Sequence, residues 1–499
     1  MTQTKSEKVR SQLKHPVVDS DGHWLELHPV YEDYLAEIGG AKATDQYRQA
    51  VKNAPGYGGG RLLTPEMRMT KRVRKQGWWT QPVNARDRAA YTLPKLMHQS
   101  LDEWGFDVAL IYPTIGFLLL KLIQDRDLRQ VIVRAFNTMA MDMFKPYGDR
   151  LIPAGIISLD SPDEALAQLD DAHKLGLKLL VMNGTTQRPI EGDSDIPVDK
   201  RRYYFDAYGL DSPHNYDRVW QKLIDIKCAL TVHTGTMGWP DRTSPTSFVF
   251  NHMGHFAQSH HITARALFMG GVTQRFPTLK VGFLEGGVGW ACNLYGDIIG
   301  HWKKRNRKYM EENHSPMKLD RVELRRLLEE NTAGNKRFAG KLDDILARNL
   351  DVAEPEVSSE ELYERDKDSD DFRSVKIDSV DDIRRLFTSN FYFGCEADDP
   401  MNVMAFHESA GLKVKAMMGS DIAHFDVPDP TEVLEEVWEM VEHGLINEEQ
   451  FREFTLTNAV ELHASMNPDF FKGTVVEAAA KEEMKRAAKR DFVKLKHAA

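Results

Sequence analysis

Short blocks of consecutive apolar residues recur at wide intervals along the chain, each flanked by turn residues. Eight stand out: HPVVDSD (His15 to Asp21), DVALIYPT (Asp107 to Thr114), LIPAGIISLD (Leu151 to Asp160), LKLLVMNG (Leu177 to Gly184), ALTVHTG (Ala229 to Gly235), LKVGFLEGG (Leu279 to Gly287), NFYFGCEADD (Asn390 to Asp399) and KAMMGSDIAHFD (Lys415 to Asp426). Apolar residues fall on successive positions instead of alternating. That is the pattern of strands covered on both faces, hence of a parallel sheet under helices. Helical periodicity fills most gaps. SPDEALAQLDDAHKLG opens with Ser161 as N-cap and Pro162 at the first helical position, and stops at Gly176. YDRVWQKLIDIK leads into the fifth strand, and DPTEVLEEVWEMVEHG opens on Asp-Pro and ends at Gly444. Repeated strand and helix over residues 17–465 predicts an α/β fold, a distorted TIM (β/α)8 barrel. A doubly wound open sheet is the other arrangement. It would not explain acids and histidines at the ends of the first, fifth, sixth and eighth strands alike.

Four stretches break the pattern. Residues 1–16 read as a flexible N-terminus. Residues 36–100 are polar and Gly-rich (GYGGGRLL, RKQGWWTQP), an insertion of loop and short helices over the barrel mouth. Residues 301–388 are strongly charged and read as surface helices with an acidic link. Residues 466–499, rich in Ala, Lys and Glu after Gly473, form a helical tail. No internal repeat at a fixed period is present.

Composition narrows the partners. A formal net charge of -10 gives a field that disfavours nucleic acid. No apolar run approaches the roughly 20 residues a membrane helix needs. The N-terminal MTQTKSEKVRSQLKH has no apolar core, so no secretory signal is expected there. Three scattered cysteines, Cys228, Cys292 and Cys395, make neither a disulfide framework nor a C-x-x-C zinc site, and a cytoplasmic location is the expectation.

The candidate chemistry lies at the strand ends. Asp21 and His23 are two apart on one strand and so share a face, where both could bind one ion. The plainer alternative is a capping Asp beside a surface His. His233 ends the apolar run Ala-Leu-Thr-Val, as a ligand or as a satisfied core histidine. Asp421 follows Gly419-Ser420; buried unpaired it would be costly, so it needs a cation, donors or water. Near a metal, its second oxygen could take a proton from water. Glu285 reads as a metal ligand, a general acid/base raised by burial, or half of an ion pair. His255, an i, i+3 neighbour of His252, reads as a substrate-orienting or proton-transfer residue or a packing histidine. His424, three residues after Asp421, is similar. Trp239 and Arg242, with Tyr112 and Trp290, are candidates to line a substrate pocket, core packing being the alternative for the aromatics. No lysine ends the fourth strand, so a carbamylated lysine bridge is not supported.

These motifs (D-x-D-G-H, an apolar strand ending H-T-G, GGVTQRFPTLKVGFLEGGVGW and GSDIAHFD) resemble the amidohydrolase-related branch of the amidohydrolase superfamily, which includes the aminocarboxymuconate-semialdehyde decarboxylase relatives. The resemblance implies a divalent metal (zinc, manganese or iron, one or two per chain) at the strand C-termini. It maps ligands onto Asp21, His23, His233 and Asp421, and it implies a homodimer. The decarboxylase relatives carry His-x-His or Glu-x-His in the first strand and a catalytic histidine at the end of the sixth. This chain has Asp21-x-His23 and Glu285. A carboxylate at the second position favours hydrolysis.

The expectation is therefore a metal-dependent hydrolase acting on a small molecule's amide, ester, thioester or lactone carbonyl. Asp421, Glu285 and His255 are its catalytic residues. Trp239, Arg242 and His424 bind substrate, and Glu285 joins the four metal ligands. A non-oxidative decarboxylase of an aromatic or unsaturated acid is the first alternative. A non-catalytic binding protein on a barrel scaffold is the second, since fold alone does not assign function.

Overall fold

All eight predicted apolar blocks form strands, and all pair in parallel. In the computed structural model, residues 3–53, 63–77, 82–116, 120, 123, 125–192, 202–237, 239–347, 359–407 and 413–498 are described. The barrel strands are β1 (Val18–Trp24), β2 (Val108–Pro113), β3 (Leu151–Ile157), β4 (Leu179–Met182), β7 (Leu230–Val232), β8 (Val281–Phe283), β9 (Phe391–Cys395) and β10 (Lys415–Met418). They lie side by side in that order in one eight-stranded sheet. The chain has a TIM-barrel fold, as its strand pattern predicts.

Closure is made by the loop after β10. The Asp421 backbone N–H donates to the Asp21 carbonyl at 2.9 Å, and the His23 N–H donates to the Ile422 carbonyl at 3.2 Å. The buried Asp19 carboxylate joins the same seam, accepting from Ser420 N at 2.9 Å and Ser420 Oγ at 2.6 Å. Gly419 permits the approach, because a Cβ there would lie 2.7 Å from the Cβ of Asp21.

Apolar residues at successive strand positions are buried on both faces. β2, β3, β4 and β9 are buried throughout. β1 is also fully buried although Asp19, Ser20, Asp21 and His23 lie within it. Its register against β2 shifts between Asp19 and Gly22, an irregularity of the kind that re-aims side chains beside active sites. The helix Pro162–Leu175 starts and stops as its sequence predicts. Ser161 Oγ accepts from Glu164 N, and Gly176 takes the left-handed conformation at φ 84°. The helix expected from Asp429-Pro430 starts later, at Val433. Asp429 instead turns back to accept from Thr431 N and Oγ1, an Asx turn that competes with helix.

One element has no counterpart in the sequence reading. An antiparallel pair, β5 (Thr186–Pro189) and β6 (Tyr203–Asp206), follows β4. It is largely exposed; β6 carries three aromatics, Tyr203, Tyr204 and Phe205, but its partner β5 is Thr-Gln-Arg-Pro.

The N-terminal segment is held more firmly than expected, and the tail is anchored as well. Residues 5–12, within the segment expected to be flexible, form a helix with a capping box at Thr4 and Glu7. Arg10 pairs with Asp107 at 2.6 Å, and Ser6 N donates to the Thr431 carbonyl. The tail helix Glu477–Ala498 buries Glu483, which accepts from Thr457 Oγ1 at 2.6 Å and pairs with Arg452.

The chain divides into two units, residues 1–294 with 384–499, and residues 295–383. The second is helical, including Arg307–Asn313, Arg321–Thr332, Leu342–Ala347 and Ser359–Asp366. Its exposed charges pair along the helices, as Arg326 does with Glu323 and Glu330. Gly56 to Gly60 and the Trp78-Trp79 pair of the 36–100 insertion lie outside the described residues.

Candidate metal centre

The C-terminal ends of β1, β7, β8 and β10 bring four predicted ligands and Glu285 to one buried point. His23 Nε2 lies 3.2 Å from His233 Nε2, 3.4 Å from Asp21 Oδ1 and 3.5 Å from Asp421 Oδ1. Two carboxylates four hundred positions apart thus share one imidazole nitrogen as a neighbour. Glu285 Oε2 is 2.9 Å from His233 Nε2. Donor atoms of Asp21, His23, His233 and Glu285 all lie within 4.8 Å of one another, and so do those of His23, Glu285, Asp421 and His424.

Local backbone sets these directions. Asp421 and Glu285 both adopt the left-handed region, at φ 50° and 57°. Residues other than glycine seldom occupy it, and where they do the surrounding structure must hold them there. Each sits just past its strand, where the turn aims the carboxylate inward.

The residues fit a divalent cation. Asp21 Oδ1, Glu285 Oε2 and both carboxylate oxygens of Asp421 are buried, and the side chains facing them are imidazoles: His23 at Asp21 and Asp421, His233 at Glu285 and His424 at Asp421. Burial pushes Asp21, Glu285 and Asp421 well above the ordinary carboxylate range, and the neighbouring carboxylates push further. Burial likewise holds His23 well below the usual imidazole value, with His424 and His233 adding to the effect. Several acids packed together in a buried site are unfavourable unless protonated or matched by a cation. Carboxylate and imidazole are also the donor set of zinc, manganese and iron.

Beside this point opens a cavity of about 320 Å³, lined by Glu285, His255, His252, Phe256, Glu396 and Asp399 among others. His255 is buried at the first position of the helix His255–Met269, its ring 4.0 Å from that of Phe256. Gly235 makes room for it, since a Cβ there would lie 2.4 Å from its Nδ1. His424 sits on the other side. Its Nδ1 is 2.5 Å from Asp421 Oδ1, its Nε2 is 3.3 Å from Thr114 Oγ1, and burial lowers its pKa to about 4.

Trp239 and Arg242 are not brought to the cavity wall. Trp239 stacks on Phe205, with ring centroids 3.9 Å apart. Arg242 braces its own loop, donating to Gln258 Oε1 and to the carbonyls of Asn251 and Met253. Trp290 packs against Phe283 and Phe393. Two residues escaped the sequence reading. Glu396 lines the cavity immediately after β9. Glu26 is a buried carboxylate that accepts from the backbone N–H groups of Thr114, Ile115 and Gly116, fixing the turn that carries Thr114 toward His424. A lone Glu two residues past a strand carries no motif.

No family model matches the chain, and no curated protein does. Solved structures do. The chain is similar to amidohydrolase map2389c from Mycobacterium avium subsp. paratuberculosis K-10 at 16% identity and a TM-score of 0.53, over 90% of this chain and 99% of that one. It is similar to Metarhizium anisopliae IDCase in its apo form at 13% identity and a TM-score of 0.50, over 92% and 98%. It also overlaps dihydroxybenzoic acid decarboxylase from Polaromonas sp. JS666, solved with manganese and 2-nitroresorcinol, at 12% identity and a TM-score of 0.48, over 90% and 97%. The first two likenesses span nearly the whole of each chain, and at these identities they show the fold: this chain has the barrel architecture of map2389c and IDCase.

Proposed function

We propose that the chain is a metal-dependent hydrolase of the amidohydrolase superfamily, cleaving an amide, ester, thioester or lactone carbonyl of a small molecule. The observation that carries this reading is the convergence of Asp21, His23, His233, Glu285 and Asp421 at one buried point beside a cavity. Asp21, His23, His233 and Asp421 would hold a divalent ion, zinc, manganese or iron, and Glu285 would share it or reach a second. Such an ion, when bound, lowers the pKa of water toward about 7 and polarises an oxygen.

The chain's own groups supply the rest. Asp421 takes the proton of the attacking water, and His424, 2.5 Å away, passes it on toward solvent. Where it does not hold an ion, Glu285 protonates the leaving group from the cavity wall. His255, on the same wall, donates to the oxygen that gains charge as the carbonyl is attacked. Phe256 and the strand ends keep bulk water out.

Three free, buried cysteines suit a reducing compartment, and a cytoplasmic homodimer completes the reading. Among the described residues no helix is long and apolar enough to cross a membrane. Elemental analysis of the purified protein, with a panel of neutral and charged esters and amides in ¹⁸O-labelled water, tests the proposal. One or two ions per chain and label in the product acid are expected; a metal-free protein that hydrolyses nothing refutes it.

Decarboxylation of an aromatic or unsaturated acid is the second reading. The Asp421–His424 pair favours it, as a carboxyl and imidazole placed to deliver a proton to carbon. Carbon dioxide release without label uptake would decide for it.

A further inference from the structure

The helix His255–Met269 turns a polar stripe to the barrel. Ser259, His260 and Thr263 are fully buried on it, where a helix over a parallel sheet ordinarily presents apolar residues. Two of them bond to strand ends. Thr263 Oγ1 donates to the Gly184 carbonyl at 2.7 Å, two residues past β4. His260 Nε2 lies 2.5 Å from the Leu284 carbonyl oxygen, one residue past β8. A carbonyl only accepts, so Nε2 carries the proton and donates. Burial lowers the His260 pKa to about 4, which leaves the ring neutral. The ring is wedged among Phe283, Trp290 and Phe256, with centroids 5.6, 5.9 and 6.3 Å away. Gly286 leaves room for it, since a Cβ there would lie 2.7 Å from its Cδ2.

Leu284 immediately precedes Glu285. The ladder between β8 and β9 ends at Phe283 opposite Phe393. Glu285 then takes the left-handed region at φ 57°, and Gly287 follows at 66°, its N–H donating to the Gly394 carbonyl at 3.1 Å. A left-handed residue other than glycine persists only where its surroundings hold it. The Leu284 carbonyl belongs to the peptide that links Leu284 to Glu285. Rotating that peptide changes the Glu285 φ and swings its carboxylate away from His233 Nε2, 2.9 Å distant. We propose that His260 is a positioning residue for Glu285: its Nε2–H holds the peptide that aims the Glu285 carboxylate into the metal centre. This deepens the proposed function and rests on it for Glu285's place in that centre. Aromatic packing alone asks only for a ring, which phenylalanine would supply; the donor is what phenylalanine lacks. The same helix starts with His255 on the cavity wall, so one element places both groups.

Titration calorimetry of Zn²⁺ into the chelated full chain tests the proposal, with Glu285→Gln, His260→Phe and the double variant. Each single change is expected to weaken Zn²⁺ binding about tenfold, as loss of a ligand's hydrogen-bonded support does. The double variant is expected to bind within about twofold of Glu285→Gln, because a residue that acts through Glu285 then has nothing left to position. Should His260→Phe fail to fold, His260→Asn, whose amide stops short of the carbonyl, takes its place in the cycle. A histidine that only fills the core predicts another pattern: a lowered melting temperature in both backgrounds, with Zn²⁺ affinity unchanged. That result overturns the proposal. So do losses that multiply in the double variant, and so does unchanged affinity in Glu285→Gln. Coupled losses in a protein that hydrolyses no ester would sustain the positioning role while removing the hydrolytic reading. Independent losses in an active hydrolase would do the reverse.

Discussion

Asp421 and Glu285 hold left-handed backbone at a cost of about 1–2 kcal/mol each. That strain accompanies the aim of both carboxylates into the shared centre. At Asp421 the proposal is sharpest, because replacing carboxylate by amide keeps the shape and removes proton acceptance. Asp421→Asn is expected to lower kcat by about 10²-fold or more with an unchanged far-UV circular dichroism spectrum. Retention of more than a few per cent of activity would remove Asp421 from the mechanism. His23 is neighbour to three of the other candidate ligands. His23→Ala is expected to abolish metal retention through gel filtration, read as metal per chain; full retention would mean the ion sits elsewhere.

At the scale of elements, the site depends on how β1 meets the end of β10. Two backbone hydrogen bonds and the Asp19–Ser420 contacts hold this seam, and Gly419 lets it close. A methyl group at Gly419 would press on Asp21 Cβ, separating the first-strand ligands from Asp421. Gly419→Ala is expected to destabilise by about 1–3 kcal/mol, as overpacking does, and to lower metal content more than a surface substitution of similar cost. Denaturant midpoints paired with metal analysis check this. Loss of stability with full metal content would show that the seam is structural only.

The whole molecule carries an excess of buried acid. Burial, with Asp426 next, pushes Glu396 up to about 8, and burial pushes Asp19 up to about 6. A raised pKa in the folded state means that the folded protein holds its proton more tightly than the unfolded chain. The stabilising contribution is therefore complete below the ordinary values, 4.5 and 3.8, and is lost as pH rises through about 8 and about 6. Above about pH 6.5 the buried imidazoles, whose lowered values make them neutral when folded, no longer contribute a pH dependence, and metal-free protein is expected to melt at progressively lower temperature from about pH 6.5 to about pH 8. An ion at a hundred times its Kd would restore about 2.7 kcal/mol. Thermal scans of chelated and reloaded protein across that range check both statements; a Tm that climbs with pH in chelated protein contradicts the first.

The eight strands, their parallel pairing and the helix Pro162–Leu175 were legible in sequence because each rests on local pattern: apolar runs, a serine cap, a closing glycine. So were Asp21, His23, His233, Glu285 and Asp421 as candidates, since acids and imidazoles directly after apolar strands are conspicuous. The β5–β6 pair was not, because the aromatics of β6 pair with a polar strand, Thr186–Pro189, that leaves no apolar signature. Only the tertiary structure separated Trp239 and Arg242, engaged with Phe205 and with their own loop, from the cavity wall, and brought Glu396 onto it. Which side chains share a pocket depends on barrel closure between residues four hundred apart, and no window of sequence contains that distance.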